Sequence, residues 1–477
     1  MTDSAFDLAI LGAGPGGYIS AIRAAQAGLR VALIEGRELG GACLHVGCIP
    51  TKAMVASANL FRQARAAATL GIAINQAEAS LATVVARRQQ VVQQLTQGIK
   101  YLLEKNQVQI FRGWGRFQSA HEIAILDPQG AVTVTLQHPR AIILATGSRP
   151  ADLPVAPRDG RFILNSSDVL MLTELPAELI ILGGGYIGCE FASLFAQLGS
   201  RVTVIEALPR LTPNLDHELG LGLERAFKKA GITVLLNAKV EKVETDTGIT
   251  VHLAGGQTVR GHRLLVAVGR VPNSDNLGLE SAGIQMSGRA VSVNEVMETS
   301  VPGIHAIGDL TGKMALAHVA SAQGQLALRH ILAGRGARTP SSATEQAGLN
   351  YDAIPACVFT YPEIGTVGLT EEAAAARGLT VRVSRFPFAA SGKALAEAET
   401  DGWIKLIADA QTGRLLGGHM MGCHAAELIG QVALAIRWGI TAHQLADTVM
   451  AHPTLSETVI EAAEGLFGKP VHIVARR

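Results

Sequence analysis

Short apolar runs punctuate the first two-thirds of the chain: Phe6–Leu11, Arg30–Ile34, Ala141–Ala145, Glu178–Leu182, Arg201–Ile205 and Arg263–Val268. Runs of this length bounded by glycine read as buried parallel strands. Between the first pair, Tyr18–Ala27 has helical spacing and ends at Gly28; between the fourth and fifth, a helix runs to Leu198-Gly199. Val92, Leu95, Ile99 and Leu102 recur at helical spacing among Arg87, Arg88 and Lys100, an amphipathic helix whose apolar stripe suits core or subunit packing. Gly334–Leu349 is rich in small and polar residues and reads as a connector. Beyond it the pattern changes. Cys357–Thr360, Val381–Phe388, Trp403–Ile407 and Leu415–Met421 read as strands, Thr412-Gly413 as a hairpin turn, and Ala425–Trp438 and Ser456–Gly465 as helices. The expected fold is α/β, with two Rossmann-like dinucleotide-binding domains and a third, C-terminal α+β domain.

Two strands run into glycine clusters. Phe6–Leu11 leads into Gly12-Ala13-Gly14-Pro15-Gly16-Gly17, and Glu178–Leu182 leads into Gly183-Gly184-Gly185-Tyr186-Ile187-Gly188. Each cluster is followed by a helix, a strand and a terminal acid, Glu35 or Glu206, at the same spacing from the third glycine. Gly12 and Gly183 permit the tight turn, Gly14 and Gly185 let backbone approach a pyrophosphate, and Gly17 and Gly188 let helix and strand pack closely. The helix N-terminus attracts the anion. A lone GxGxxG is weak; a repeated strand, helix, strand and acid specify two dinucleotide sites. Glu206 would accept from a free ribose 2′-hydroxyl and repel a 2′-phosphate, favouring NAD over NADP, while Arg201 and Arg210 read as solvated surface charges. Gly303-Ile304-His305-Ala306-Ile307-Gly308-Asp309 offers another strand ending in an acid, suited to polyol hydroxyls or to capping a helix.

With 477 residues the chain has length for several cores, and 48% apolar against 17% charged residues excludes a disordered chain. Basic and acidic residues nearly cancel, at a net charge of +1, so no nucleic-acid or anionic-membrane partner is expected. No apolar run is long enough to span a membrane. A strand starting at Phe6 leaves no room for a signal peptide, and five cysteines form no secreted disulfide framework, so a cytoplasmic location is expected.

Cys43 and Cys48 lie in Gly40-Gly41-Ala42-Cys43-Leu44-His45-Val46-Gly47-Cys48-Ile49-Pro50-Thr51-Lys52. Residues five apart in a helix are separated by roughly 7.5 Å along the axis, whereas a disulfide wants Cα atoms about 4.4–6.8 Å apart. A bonded pair would therefore need a break in the helix, which Gly47 would permit. For an arbitrary pair at this spacing two reduced, buried thiols are the plainer reading, but the company of two dinucleotide loops reverses it in favour of a reversible disulfide; a Cys43-His45-Cys48 metal site is the least favoured, and no metal is expected. His452 stands five residues before Glu457, a carboxylate that would fix the tautomer of a proton-transferring imidazole.

Together these stretches, with Ala145-Thr146-Gly147, Val268-Gly269-Arg270-Val271-Pro272-Asn273 and His452-Pro453-Thr454-Leu455-Ser456-Glu457, resemble the pyridine nucleotide–disulfide oxidoreductases over essentially the whole chain. The resemblance implies an FAD-binding domain at 1–149 continued at 275–345, an NAD-binding domain at 150–274 and an interface domain at 346–477. It implies FAD held by Gly12, Gly14, Gly17, Glu35, Lys52, Gly115, Thr146, Gly147, Asp309 and Ala317, with Glu190 pairing Lys52 near the flavin. NAD would be held by Gly183, Gly185, Gly188, Glu206 and Gly269. The implied reaction is oxidation of dihydrolipoamide to lipoamide with NAD+. In it Cys43 exchanges with substrate, Cys48 lies beside the flavin, and His452 with Glu457 serves the cysteines of the other subunit in a homodimer. The lipoyl domain of a 2-oxoacid dehydrogenase complex is the implied partner, and none is expected ahead of Phe6. Glutathione reduction and a non-catalytic docking subunit are the rivals. The first is disfavoured by Glu206, the second by intact Cys43, Cys48, His452 and Glu457. Val471–Arg477 carries no additional redox pair. Ala42, His45 and Thr51 depart from the family's usual Thr, Asn and Ser.

Overall fold

The computed structural model describes residues 6–246, 248–334 and 348–474. Residues 335–347 of the expected connector, and 475–477 of the tail, lie outside them. Seven helices matter most: α1 (Pro15–Gln26), α2 (Gly41–Val46), α3 (Cys48–Ala66), α4 (Leu81–Lys105), α5 (Tyr186–Leu198), α6 (His217–Lys229) and α7 (Ala317–Ala333). The chain divides into two compact units.

The first unit comprises 1–53, 86–151 and 270–349. Its centre is a parallel sheet in which Leu8–Leu11 lies between Val31–Glu35 and Ile142–Leu144, with Gln109–Arg112 and Ile304–Ala306 at the two edges. Three of the expected apolar runs fill its middle, and strands buried on both faces need no alternation. The first helix begins at Pro15 rather than at Tyr18 as the periodicity suggested. Proline suits a first helical position, where its missing N–H is not needed. On one face α7 packs against α1 at small residues: a Cβ on Gly324 would fall 2.1 Å from Ser20 Oγ. A second, antiparallel sheet (Trp114–Ser119, Glu122–Leu126, Val132–Gln137) is inserted between the third and fourth strands.

The second unit comprises 54–85, 152–269 and 350–477. Its parallel sheet repeats the plan, with Glu178–Leu182 between Arg201–Ile205 and Arg263–Val266, and Thr233–Leu235 outside. It too has an antiparallel insert (Val240–Thr245, Ile249–Leu253, Thr258–Gly261). The C-terminal part forms a five-stranded antiparallel sheet containing all four expected strands plus Glu363–Gly368, covered by helices at Ala425–Trp438 and Glu457–Gly465. The α4 stripe is divided: Ile99 packs on the first unit's core, while Leu95 and Leu102 are exposed. No described helix is long and apolar enough to cross a membrane.

Candidate active site

Both glycine loops obey the same steric rules. Gly12 and Gly183 have positive φ, and a Cβ on either would lie 2.4 Å from a carbonyl, that of Ala145 or Ala267. A Cβ on Gly17 would sit 1.8 Å from Gly12 O, and one on Gly188 would sit 2.0 Å from Gly183 O. By contrast, a Cβ on Gly14 or Gly185 would meet nothing within 4 Å. These two glycines therefore leave an open cradle at the N-termini of α1 and α5, neither of which has a side-chain cap. Uncapped first-turn N–H groups beside open space fit a pyrophosphate at both places.

The strand-end acids are tied to their own loops. Glu35 Oε2 accepts from the Ala13 N–H at 2.7 Å and Oε1 from the Arg37 N–H at 2.7 Å. Glu206 repeats this with Gly184 at 2.6 Å and Leu208 at 2.7 Å. Each carboxylate thus holds its own glycine loop, and its remaining lone pairs can still accept from hydroxyls. Arg201 is exposed, as expected, and pairs with Glu178. Arg210 departs from expectation: it is mostly covered and donates to Pro213 O at 2.9 Å.

The remaining residues expected at the flavin gather around the first loop. Thr146 Oγ1 donates to Asn273 O at 2.9 Å, and Gly147 has positive φ. Asp309 does not cap a helix; it lies within the turn Gly308–Thr311, whose N-cap is Ile307. Its carboxylate accepts from Ser148 Oγ, which in turn accepts from Arg270 Nε at 2.7 Å. Sequence reasoning missed Ser148, and Gln323, whose Oε1 accepts from the Gly308 N–H at 2.6 Å. Neither belongs to a motif, so the sequence offered no signal for them. Gly115 leaves room for Leu11, whose Cδ2 would lie 2.9 Å from a Cβ there. Ala317 is the first residue of α7, another helix without a side-chain cap. In the second unit Gly269 has positive φ with open space beside it, and Glu190 accepts from the Phe359 N–H at 3.0 Å. Lys52 lies within α3.

Cys43 and Cys48 form a disulfide with Cα atoms 4.7 Å apart. The helix breaks where the distance argument requires: α2 ends at Val46, Gly47 takes φ −144° and ψ −114°, and α3 begins at Cys48. A Cβ on Gly47 would crowd Ala42 O at 2.9 Å, so the break depends on glycine. Thr51 Oγ1 donates to Gly47 O at 2.7 Å, closing the first turn of α3. His45 turns its Nε2 to Leu39 O at 2.8 Å, with Thr96 Oγ1 at 3.5 Å, so it braces the approach to α2. The bonded pair is the one expected from its place beside the first glycine loop. Cys189, Cys357 and Cys423 are not disulfide-bonded; burial pushes the Cys189 thiol up, and that of Cys423 up to about 12, which leaves both inert as thiolates.

His452 Nδ1 lies 2.9 Å from Glu457 Oε1, and Glu457 Oε2 accepts from the Thr454 N–H at 2.9 Å. The Thr454 N–H and His452 hold the Glu457 carboxyl below its ordinary range. A charged acceptor on Nδ1 leaves Nε2 as the proton-exchanging nitrogen. The imidazole is 79% exposed.

Residues 6–324 match the pyridine nucleotide-disulphide oxidoreductase family, and residues 354–463 match the dimerisation domain of the same enzymes. The chain is 42% identical to the dihydrolipoyl dehydrogenase of Chlorobaculum tepidum, over 96% of each chain. It is 41% identical to that of Chlamydia muridarum, over 100% of each. Among solved structures, LpdA from Mycobacterium tuberculosis superimposes with a TM-score of 0.88 at 32% identity, covering 96% of this chain and 99% of that one. The HOCl-induced flavoprotein disulfide reductase RclA from Escherichia coli gives 0.83 at 28%, covering 96% and 99%. With two dinucleotide cradles and a closed thiol pair beside the first, the chain belongs to the pyridine nucleotide-disulphide oxidoreductases, FAD-dependent enzymes that move electrons between a redox disulfide and a nicotinamide nucleotide.

Proposed function

We propose that the protein oxidises dihydrolipoamide to lipoamide with NAD+, working as a cytoplasmic homodimer on the lipoyl group of a 2-oxoacid dehydrogenase complex. The observation that carries this is the Cys43–Cys48 disulfide seated on the first glycine loop. The cradle around Gly12, Gly14 and Gly17 fits FAD, with Glu35, Lys52, Gly115, Thr146, Gly147, Asp309 and Ala317 beside it and Glu190 as the partner of Lys52. Bound there, FAD supplies the two-electron link between the thiol pair and the nicotinamide. Gly183, Gly185, Gly188, Glu206 and Gly269 hold NAD, and the Glu206 carboxylate disfavours the extra phosphate of NADP.

The chain's own residues perform the thiol chemistry. His452 Nε2 takes the proton from one substrate thiol, because only the thiolate attacks a disulfide. The new thiolate attacks Cys43 Sγ, and Cys48 leaves as a thiolate. The second substrate thiol, its proton passing to the departing Cys43 sulfur, then attacks the substrate sulfur of the mixed disulfide, releasing cyclic lipoamide and leaving Cys43 as a thiol and Cys48 as a thiolate. Glu457 holds the imidazolium formed on the way. The exposure of His452 supports its acting on the thiol pair of the other subunit.

The test is the absorbance spectrum of the purified protein together with NADH-linked reduction of lipoamide and of oxidised glutathione. A flavin spectrum with turnover on lipoamide is expected. A colourless protein unable to take up flavin, or turnover on glutathione alone, would sink the assignment. His452→Gln should slow lipoamide reduction by about 100-fold or more; a loss smaller than about tenfold removes the residue from the base role.

A further inference from the structure

His305 takes no part in the chemistry above, yet it is 1% exposed within the strand Ile304–Ala306. Its Nδ1 is buried with no hydrogen-bond partner among the described residues. Its Nε2 lies 3.0 Å from Nδ1 of His330, a partly exposed residue in the last turn of α7. Glu298 faces His305 across an isolated antiparallel bridge, and its Oε1 accepts from the Gly303 N–H at 2.9 Å, which fixes the carboxylate. One ligating atom from each of the three lies within 4.8 Å of the others. They open on a cleft of about 490 Å³, also lined by Asp7, Arg140 and Ile331.

We propose that Glu298, His305 and His330 form a binding site for one divalent transition-metal ion of the zinc class. Zinc–nitrogen bonds of 2.0–2.1 Å in tetrahedral geometry place two ligand nitrogens roughly 3.3 Å apart, so the imidazole pair needs only a small opening. Two histidines and a carboxylate complete a three-ligand set, and the cleft admits water as the fourth. Arg140 Nη1 lies 3.9 Å from Asp7 Oδ1, so the cation on the cleft wall has its own counter-charge. An ion here ties the strand that leads to Asp309 to the end of α7. Binding therefore stabilises the first unit.

The test is equilibrium dialysis of the oxidised protein against Zn2+. With the Cys43–Cys48 bond closed, those sulfurs are withheld from the metal. One Zn2+ per chain is expected, with a Tm that rises with Zn2+ concentration. His330→Ala and Glu298→Gln should each weaken binding by at least about tenfold and abolish the rise in Tm. With Cu2+ as probe, electron paramagnetic resonance should show two imidazole nitrogens in the wild type and one in His330→Ala. Absence of bound Zn2+ would overturn the proposal. So would His330→Ala binding Zn2+ with unchanged stoichiometry and affinity, or a single coupled nitrogen in the wild type. His330 is partly exposed, so its variant keeps the test decisive even where a change at buried His305 prevents folding.

Discussion

The two glycine loops are built alike but lead to different things. After Glu35 the chain returns to its loop at Gly40, whose N–H donates to Ala13 O at 2.9 Å, and immediately starts the helix carrying Cys43. After Glu206 it returns at Thr212, whose N–H donates to Gly184 O at 2.8 Å, and continues to Asp216, which caps α6 by accepting from the Glu218 N–H. The first return thus carries a redox pair. The second carries a charge cluster around buried Lys405, whose Nζ meets Asp216 at 2.7 Å and the partly exposed Glu218 and Glu371 at 3.0 Å, while Arg385 pairs with Glu218. Similar seats for two nucleotides come from the shared loop geometry. The difference in chemistry begins eight residues past Glu35, at Cys43, and ten past Glu206, at Asp216.

The strongest test of likeness is the third glycine. Gly17→Ala and Gly188→Ala each place a Cβ about 2 Å from a carbonyl oxygen, so each should lower the unfolding free energy by about 3 kcal/mol or more in denaturant titration. A neutral outcome at one site alone would break the equivalence. Next, alanine at the second glycine should leave the fold intact and separate the two ligands. Gly14→Ala should yield protein that loses its yellow colour on gel filtration, whereas Gly185→Ala should stay yellow and show a KM for NADH raised about tenfold. If both variants kept flavin and normal KM, neither cradle would hold a pyrophosphate.

The smallest effect is read in how stability depends on pH. Arg385, and then Lys405, hold the Glu218 carboxyl down to about 2 from its ordinary 4.5, with burial opposing. A carboxyl whose folded pKa is depressed stabilises above the unfolded value, and that stability is lost as pH falls from about 4.5 towards about 2. Arg385→Gln should therefore lower stability at pH 7 and shrink the loss between about pH 4.5 and pH 2, the variant and the wild type converging in acid. An unchanged acid limb would show that the cluster beside the second return contributes nothing there.

Strands buried on both faces, glycine loops, strand-end acids and the His452-Pro453 segment were legible because each rests on local rules. The two antiparallel inserts were not, since Trp114–Ser119 and Val240–Thr245 are short and largely polar. Nor was Glu363–Gly368, whose two glycines dilute the strand signal although it pairs on both sides. Asp309 looked like a possible cap because strand-then-acid is ambiguous in sequence. Only its partners, Ser148 and Arg270, separate the readings. The pairing of His305 with His330 left no mark, because a strand and a distant helix bring together residues that no spacing rule links.

Gly41 has one more consequence. A Cβ there would stand 2.7 Å from the Cα of Gly14, so the start of the thiol-bearing helix rests directly on the phosphate cradle. The sulfurs and the nucleotide seat are thereby one casting rather than two parts joined by a strap. Lengthening the stretch between Glu35 and Gly40 by a single residue would detune the spacing on which electron flow depends, even with every named side chain still present.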